Sequence, residues 1–207
     1  MQVGHRSEGE ISDSAHEFLR MYHPGDTIPI PIEEIIEFEL GLDIIPVPDL
    51  RRSHGIDGAL AQDFSQIYVD DYVYNNWPNR HRFTLAHEIG HYILHRADLE
   101  NGEVNSFKDW LDYAKSVAGL GDWFETQAHI FARHLLMPNH HLRAQFDNFL
   151  PEVIALVDAA KRNKIKRINY LEPAITAMSR RIAQVFEVSE DAARVRIITA
   201  KLDKLIP

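Results

Sequence analysis

The run Arg80-His81-Arg82-Phe83-Thr84-Leu85-Ala86-His87-Glu88-Ile89-Gly90-His91-Tyr92-Ile93-Leu94-His95 decides the fold. Phe83, Leu85, Ala86, Ile89, Tyr92, Ile93 and Leu94 spread apolar side chains over much of a helical circumference, so this helix is expected to be buried. Within it stands His87-Glu88-Ile89-Gly90-His91, an H-E-x-x-H sequence. Residues four apart on a helix return to nearly the same face about one turn further on, so both imidazoles can reach one point. A buried helix with two histidines and a glutamate needs partners for all three, and a shared divalent ion supplies them. Neutral imidazole nitrogens suit Zn(II), and two of them with a carboxylate leave a fourth position open for water. Glu88 then lies beside the ion without having to bind it.

Two histidines hold a catalytic ion poorly, so a third donor is expected. The continuation H-x-x-G-x-x-H fails, because Leu94 and Ala97 stand at its Gly and His positions. His95 is a full further turn along and is expected to be a surface residue or one that stands behind the ligands. The better candidate lies in Glu125-Thr126-Gln127-Ala128-His129-Ile130-Phe131-Ala132-Arg133-His134-Leu135-Leu136-Met137-Pro138. Ala128, Phe131, Ala132 and Leu135 form a core stripe whose small members admit a neighbouring helix. At the start of that helix Glu125 reads either as a ligand or as an exposed acid favoured by the helix N-terminus. His129, one turn beyond on the same face, reads as an additional contact to the metal surroundings or as packing.

Working outward, residues 13–22 fit a helix, and Ile32, Ile35, Ile36 and Leu40 repeat at helical spacing after Pro31, with Gly41 as the stop. Leu42 to Ile45 reads as a short strand, and 58–62 with 66–70 as a hairpin closed by Asp63-Phe64-Ser65. Downstream the chain reads as helical over 122–137, 142–149, 153–161, 173–186 and 189–205, with a turn at Glu187-Val188 and Ser189 as a cap. The segment 96–121, with Phe107, Trp110 and Tyr113 and with Trp123 just beyond, reads as a lid, an exosite or a packed loop. The expected architecture is α+β: a small mixed or antiparallel sheet and an active-site helix within a domain over 1–150, then a helical module with a helix-turn-helix-like pair over 151–207.

Composition fits a soluble globular protein, with 45% apolar and 26% charged residues among 207. With no cysteine, thiolate zinc sites, iron–sulfur clusters and cysteine nucleophiles are excluded, so any metal must be held by histidine and carboxylate. A net charge of -9 argues against a protein whose whole surface coats nucleic acid. That charge is divided unevenly, -15 over residues 1–160 against +6 over 161–207. No apolar run approaches the roughly 18 residues needed to span a bilayer, so no membrane partner and a cytoplasmic location are expected.

The stretch Arg82 to His95, taken with Glu125-x-x-Ala128-x-x-Phe131-Ala132-x-x-Leu135-Leu136-Met137-Pro138, resembles the ImmA/IrrE family of zinc metallopeptidases over roughly residues 30–140. The resemblance implies a zincin-like core in which His87 and His91 bind the metal, Glu125 is the third ligand and Glu88 is the catalytic base. It implies a partner as well, a helix-turn-helix transcriptional repressor whose cleavage releases genes of mobile elements, phages or stress responses. Two features depart from the family pattern: a long stretch between His91 and Glu125, and His129 where Asn is more usual. The donor set accepts Mn or Fe as well as Zn. A second electrophile is expected among Tyr68, Tyr72, Tyr74, Arg82 and His129. The rival reading takes Arg180, Arg181, Arg194, Arg196, Lys201 and Lys204 as phosphate contacts of a DNA-binding or protein-binding regulator whose metal site is structural or vestigial.

Overall fold

A computed structural model describes residues 4–99, 112, 115 and 122–207. Phe107, Trp110 and Tyr113 lie outside them. The described residues divide between two compact units, Met1–Leu136 and Met137–Pro207. The boundary expected near residue 150 falls instead inside a continuous helix of the second unit.

The first unit opens on α1 (Glu8–Tyr22), five residues earlier than the apolar periodicity begins. A capping box sets that start: Ser7 Oγ accepts from the Glu10 N–H, and the Glu10 carboxylate accepts from the Ser7 N–H at 2.7 Å. α2 (Ile32–Glu34) runs into a π-helical turn (Ile35–Glu39), and both bury the isoleucines of the periodic pattern. Gly41, at φ +66, ends it in a conformation that costs other residues more.

The sheet has three strands in the order β1-β3-β2, with β1 (Asp43–Val47) parallel to β3 (Gln66–Asp70) and β2 (Gly58–Leu60) antiparallel to it. β1 ends two residues past the expected strand end and takes in Pro46; an edge strand accepts proline because one row of its backbone groups is unpaired anyway. The short helices α3 (Leu50–His54) and α4 (Asp71–Asn76) flank this sheet. α5 (Pro78–Leu94) begins with proline at its first turn, packs against β2 and β3, and carries the H-E-x-x-H residues. After α6 (Arg96–Leu99), α7 (Asp122–Leu136) returns along α5, and α1 lies against α7. Leu85, Ala86 and Ile89 of α5 and Ala128, Phe131, Ala132 and Leu135 of α7 are fully buried, as their patterns predict. The unit is therefore an α+β core with the motif helix between sheet and helices.

The second unit is helical. α8 (Asn139–Arg162) replaces the two short helices read at 142–149 and 153–161. Pro151 lies inside it and removes one N–H, yet Leu142, Phe146, Val153 and Val157 form a continuous buried stripe that outweighs this loss. α9 (Arg167–Phe186) likewise starts ahead of Pro173, and α10 (Glu190–Thr199) is capped by Ser189. The chain then turns at Lys201, φ +58, into a 3-10 turn (Leu202–Leu205) instead of continuing the helix to 205.

Most of the basic residues proposed to meet phosphates are engaged within this unit. Arg180 pairs with Glu190 at 3.0 Å, Arg181 with Glu152 at 2.7 Å and Arg194 with Glu172 at 2.6 Å. Arg196 is only 1% exposed; its guanidinium donates to the Met137 carbonyl at 3.3 Å and to Asn139 Oδ1. Lys201 and Lys204 are exposed.

Candidate metal centre

α5 and α7 approach closely because small residues face each other. A Cβ added to Gly90 would lie 3.0 Å from Ala128 Cα and 3.1 Å from its carbonyl oxygen. On the other side Gly58 of β2 accepts the approach of α5, since a Cβ there would stand 2.5 Å from Thr84 Cγ2. These two contacts leave His87, Glu88 and His91 enclosed between strand and helix.

His87 Nε2 and His91 Nε2 are 3.0 Å apart, as two residues one helical turn apart and turned to a common point must be. Glu125, on the first turn of α7, brings Oε2 to 3.1 Å from His87 Nε2 and Oε1 to 3.5 Å from His91 Nε2. The alternatives read for Glu125 in the sequence thus resolve in favour of a carboxylate turned toward the histidines. Ligands bound tetrahedrally at 2.0–2.1 Å lie about 3.3 Å from one another, so this triangle has the size of one face of a zinc coordination shell. Three electron-rich atoms held at this spacing repel unless a cation or proton lies among them. The residues therefore fit a divalent ion.

The charges follow from burial and from one another. Burial opposes protonation of His87, but the Glu125 hydrogen bond and the nearby Glu88 and Glu125 charges outweigh it and raise its pKa. His91, where burial dominates, is lowered to about 4. Glu125 is held well below the usual carboxylate range: burial pushes it up, but the His87 and His91 rings that face it prevail. Glu88 is fully enclosed, and burial raises it to about 7. Its Oε2 accepts the Leu60 N–H of β2 at 2.9 Å.

His129 sits at the open side of this group. Its ring centroid is 4.4 Å from that of His87 and 5.8 Å from that of Phe83, and one nitrogen belongs to a His87–Glu125–His129 cluster whose ligand atoms all lie within 4.8 Å. Burial, then the His87 charge, lowers it to about 4, so it is neutral at physiological pH. The other candidate electrophiles face elsewhere. Arg82 donates to the Ile30 carbonyl at 2.8 Å, Tyr68 packs against Leu50, Tyr72 stacks edge-on with Trp77, and Tyr74 with His81.

His95 is not at the surface; it is 0% exposed and stands behind His91, with Nδ1 3.0 Å from His91 Nδ1 and its ring stacked on Phe124 at 4.0 Å. Its Nε2 lies 3.3 Å from Gln127 Oε1. Gln127 was not singled out in the sequence, although it falls three residues after Phe124 on the buried stripe of α7, where a polar side chain signals an internal partner.

A motif helix laid across a small mixed sheet, with two histidines and a carboxylate from a second helix converging and a buried glutamate alongside, defines a metallopeptidase core of the zincin type. The family model described as the IrrE N-terminal-like domain of peptidase family M78 matches residues 67–197, and the chain belongs to that family. The match takes in the motif helix and most of the second unit. The chain is also 33% identical over 109 residues to the radiation response metalloprotease IrrE of Deinococcus radiodurans. That similarity covers 53% of this chain and 30% of the relative, so the chain spans less than a third of that protein. Among the described residues, no helix is long and apolar enough to cross a membrane.

Proposed function

We propose that this chain is a metal-dependent endopeptidase, with His87, His91 and Glu125 holding the ion and Glu88 as its proton-transfer group. The observation that carries this reading is the 3.0–3.5 Å triangle of His87, His91 and Glu125, with the Glu88 carboxyl next to it. Zinc fits the nitrogen-rich donor set best, and Mn or Fe are the alternatives it accepts. When bound, such an ion polarises the scissile carbonyl and a water molecule as a Lewis acid. Glu88 accepts the proton from the attacking water and passes it to the leaving amine. A pKa near neutrality suits both halves of that task, and the Leu60 N–H holds the carboxyl in place between them. His129 is the side chain we assign to the developing oxyanion, as a neutral donor.

β2 supports an extended substrate. Ala61 N–H donates to the Gln66 carbonyl and Asp70 N–H to that of Asp57, so alternate residues from 57 to 61 pair with β3, and the backbone groups of Gly58 and Leu60 turn outward. The Leu60 N–H goes to Glu88, while its carbonyl and the groups of Gly58 lie on the edge where a peptide can pair beside that carboxyl. The substrate class we propose is a helix-turn-helix repressor in the cytoplasm, on the basis of the ImmA/IrrE resemblance and the acidic residues 1–160, which attract a basic DNA-binding protein. Co-expression with candidate repressors, wild type beside Glu88→Ala, followed by mass determination of fragments, tests it. Intact repressor in the wild-type sample, or equal cleavage by Glu88→Ala, rejects the assignment. The regulator reading is weakened by the engagement of Arg180, Arg181, Arg194 and Arg196 within the second unit.

A further inference from the structure

We infer that the N-terminal segment, through the Gly4 carbonyl, Gln127 and His95, fixes the proton positions behind His91 and thereby presents a lone pair on His91 Nε2. This rests on the reading of His91 as a metal ligand.

With both imidazoles neutral, the chain of contacts has only one consistent polarity. A backbone carbonyl accepts and cannot donate, so Gln127 turns its amide Nε2 toward the Gly4 oxygen, at 3.1 Å. Gln127 Oε1 therefore faces His95 Nε2, at 3.3 Å, and an amide oxygen also only accepts. His95 must then carry its proton on Nε2 and leave Nδ1 bare. The 3.0 Å contact between the two Nδ1 atoms is a hydrogen bond only with His91 as donor. A neutral imidazole with its proton on Nδ1 has its lone pair on Nε2, the atom that faces His87 and Glu125. Among the described residues His87 Nδ1 is buried with no such partner, so the arrangement is particular to His91.

The origin of this relay is secured. Arg6 donates to the Leu94 carbonyl at 3.0 Å, where the end of α5 leaves acceptors unused, and the His5 ring stacks on Trp123 at 4.8 Å. Ser7 then caps α1. His95 and Gln127 are both 0% exposed, so water does not compete for these hydrogen bonds. Gly4 lies well before the residues 67–197 matched by the family model, so this wall of the site is built by a part of the chain outside that match. His95 and Gln127 are positioning residues, which act on the ion only through His91.

The test uses the full-length chain. Partners of ligating histidines typically govern metal affinity by about 10- to 100-fold. Competition with a chelator should show His95→Leu, which keeps apolar volume but offers no acceptor, binding Zn(II) more weakly than wild type by about that factor. His95→Asn places an amide oxygen near the former Nδ1 and should recover part of the loss. Packing against Phe124 alone would favour leucine over asparagine in this buried place, so an equal or reversed order overturns the inference. Imidazole ¹H–¹⁵N spectra of the metal-free chain at about pH 8, above the ordinary imidazole range, should show His91 protonated on Nδ1 and His95 on Nε2. Gln127→Met should give mixed tautomers on both rings. Opposite tautomers in the wild type remove the relay and leave the metal centre standing. A wild-type chain that binds no divalent ion, or a Glu125→Ala chain that binds it as tightly, removes the metal centre and the relay with it.

Discussion

The backbone N–H of Leu60 donates to Glu88 Oε2 at 2.9 Å, joining the edge strand of the sheet to the glutamate of the metal-site helix. That bond orients a carboxyl that burial would otherwise leave to find its own partner, and it places the proposed proton-transfer group where an added substrate strand would pass. Glu88→Gln keeps the hydrogen bond and the volume but cannot take a proton. We expect peptide hydrolysis to fall by at least about 100-fold, the usual worth of a general base, with one equivalent of metal still bound. Metal analysis and fragment mass spectrometry on the same preparation check both halves; loss of the metal along with the activity would mean that Glu88 is part of the binding set.

The same substitution makes a prediction about stability in the absence of metal. Folding raises the Glu88 pKa from 4.5 to about 7, so between those values the folded chain binds a proton that the unfolded chain releases. Its contribution to stability is therefore greatest below pH 4.5 and diminishes as pH rises through 7. Gln does not titrate. Relative to wild type, Glu88→Gln should gain about 3 kcal/mol between pH 4.5 and pH 8, from roughly 2.5 pH units at 1.36 kcal/mol each. Denaturant titrations in chelator at both pH values measure it, and a difference that does not change with pH would mean that Glu88 is not buried as described.

Gly90 is a point of close approach between the two helices that carry the proposed metal ligands. Ala at this position would gain about 0.5–1 kcal/mol of helix propensity. It would also drive a methyl group to 3.0 Å from the Ala128 Cα, which is backbone and cannot swing away, at a cost of about 1–3 kcal/mol. The net expectation is a lower melting temperature and weaker metal binding, because His91 and Glu125 are moved apart. Gly9→Ala, where a Cβ meets nothing nearer than Ser7 Oγ at 3.9 Å, is the control and should not destabilise. Calorimetry on the two variants separates propensity from packing.

What could be read in advance divides along physical lines. The α5 and α7 helices were legible because their apolar residues recur at helical spacing and the motif fixes which face meets which; the hairpin was legible from alternation around Asp63-Phe64-Ser65. The fusion of two short helices into α8 was not, because Pro151 is read locally as a breaker while the stripe from Leu142 to Val157 acts over the whole helix. The start of α1 depends on a side-chain cap at Ser7 with little apolar pattern after it. In the site, the spacing of His87 and His91 is a property of one helix. The Gly4–Gln127 and Leu60–Glu88 bonds join residues 123 and 28 positions apart and involve backbone groups, which carry no sequence signature.

His129 is exposed at the open side of the site, yet it stands one turn from Glu125 and packs on Phe83. His129→Phe retains the ring stack and removes the donor. If His129 stabilises the oxyanion, kcat should fall by about 10²–10³ while zinc affinity changes little. If it is instead a fourth ligand, affinity falls first. Parallel kinetics and chelator competition tell these apart.

Arg196 anchors the second unit from inside, and its neighbours show what its loss would leave behind. Its guanidinium serves both the Met137 carbonyl and Asn139 Oδ1, at the start of α8. Arg196→Met keeps much of the length and is compatible with burial, but it leaves the buried Met137 carbonyl without this donor, while Asn139, which is exposed, can turn to water. Each buried acceptor left unsatisfied costs about 1–3 kcal/mol, partly offset by no longer burying a charge. We therefore expect net destabilisation of about 1 kcal/mol, read as a lower denaturation midpoint in circular dichroism. Arg196→Lys should fall between the two, since a single ammonium reaches one acceptor well and the fork geometry is lost. A methionine variant as stable as wild type would show that the pair of hydrogen bonds contributes nothing net.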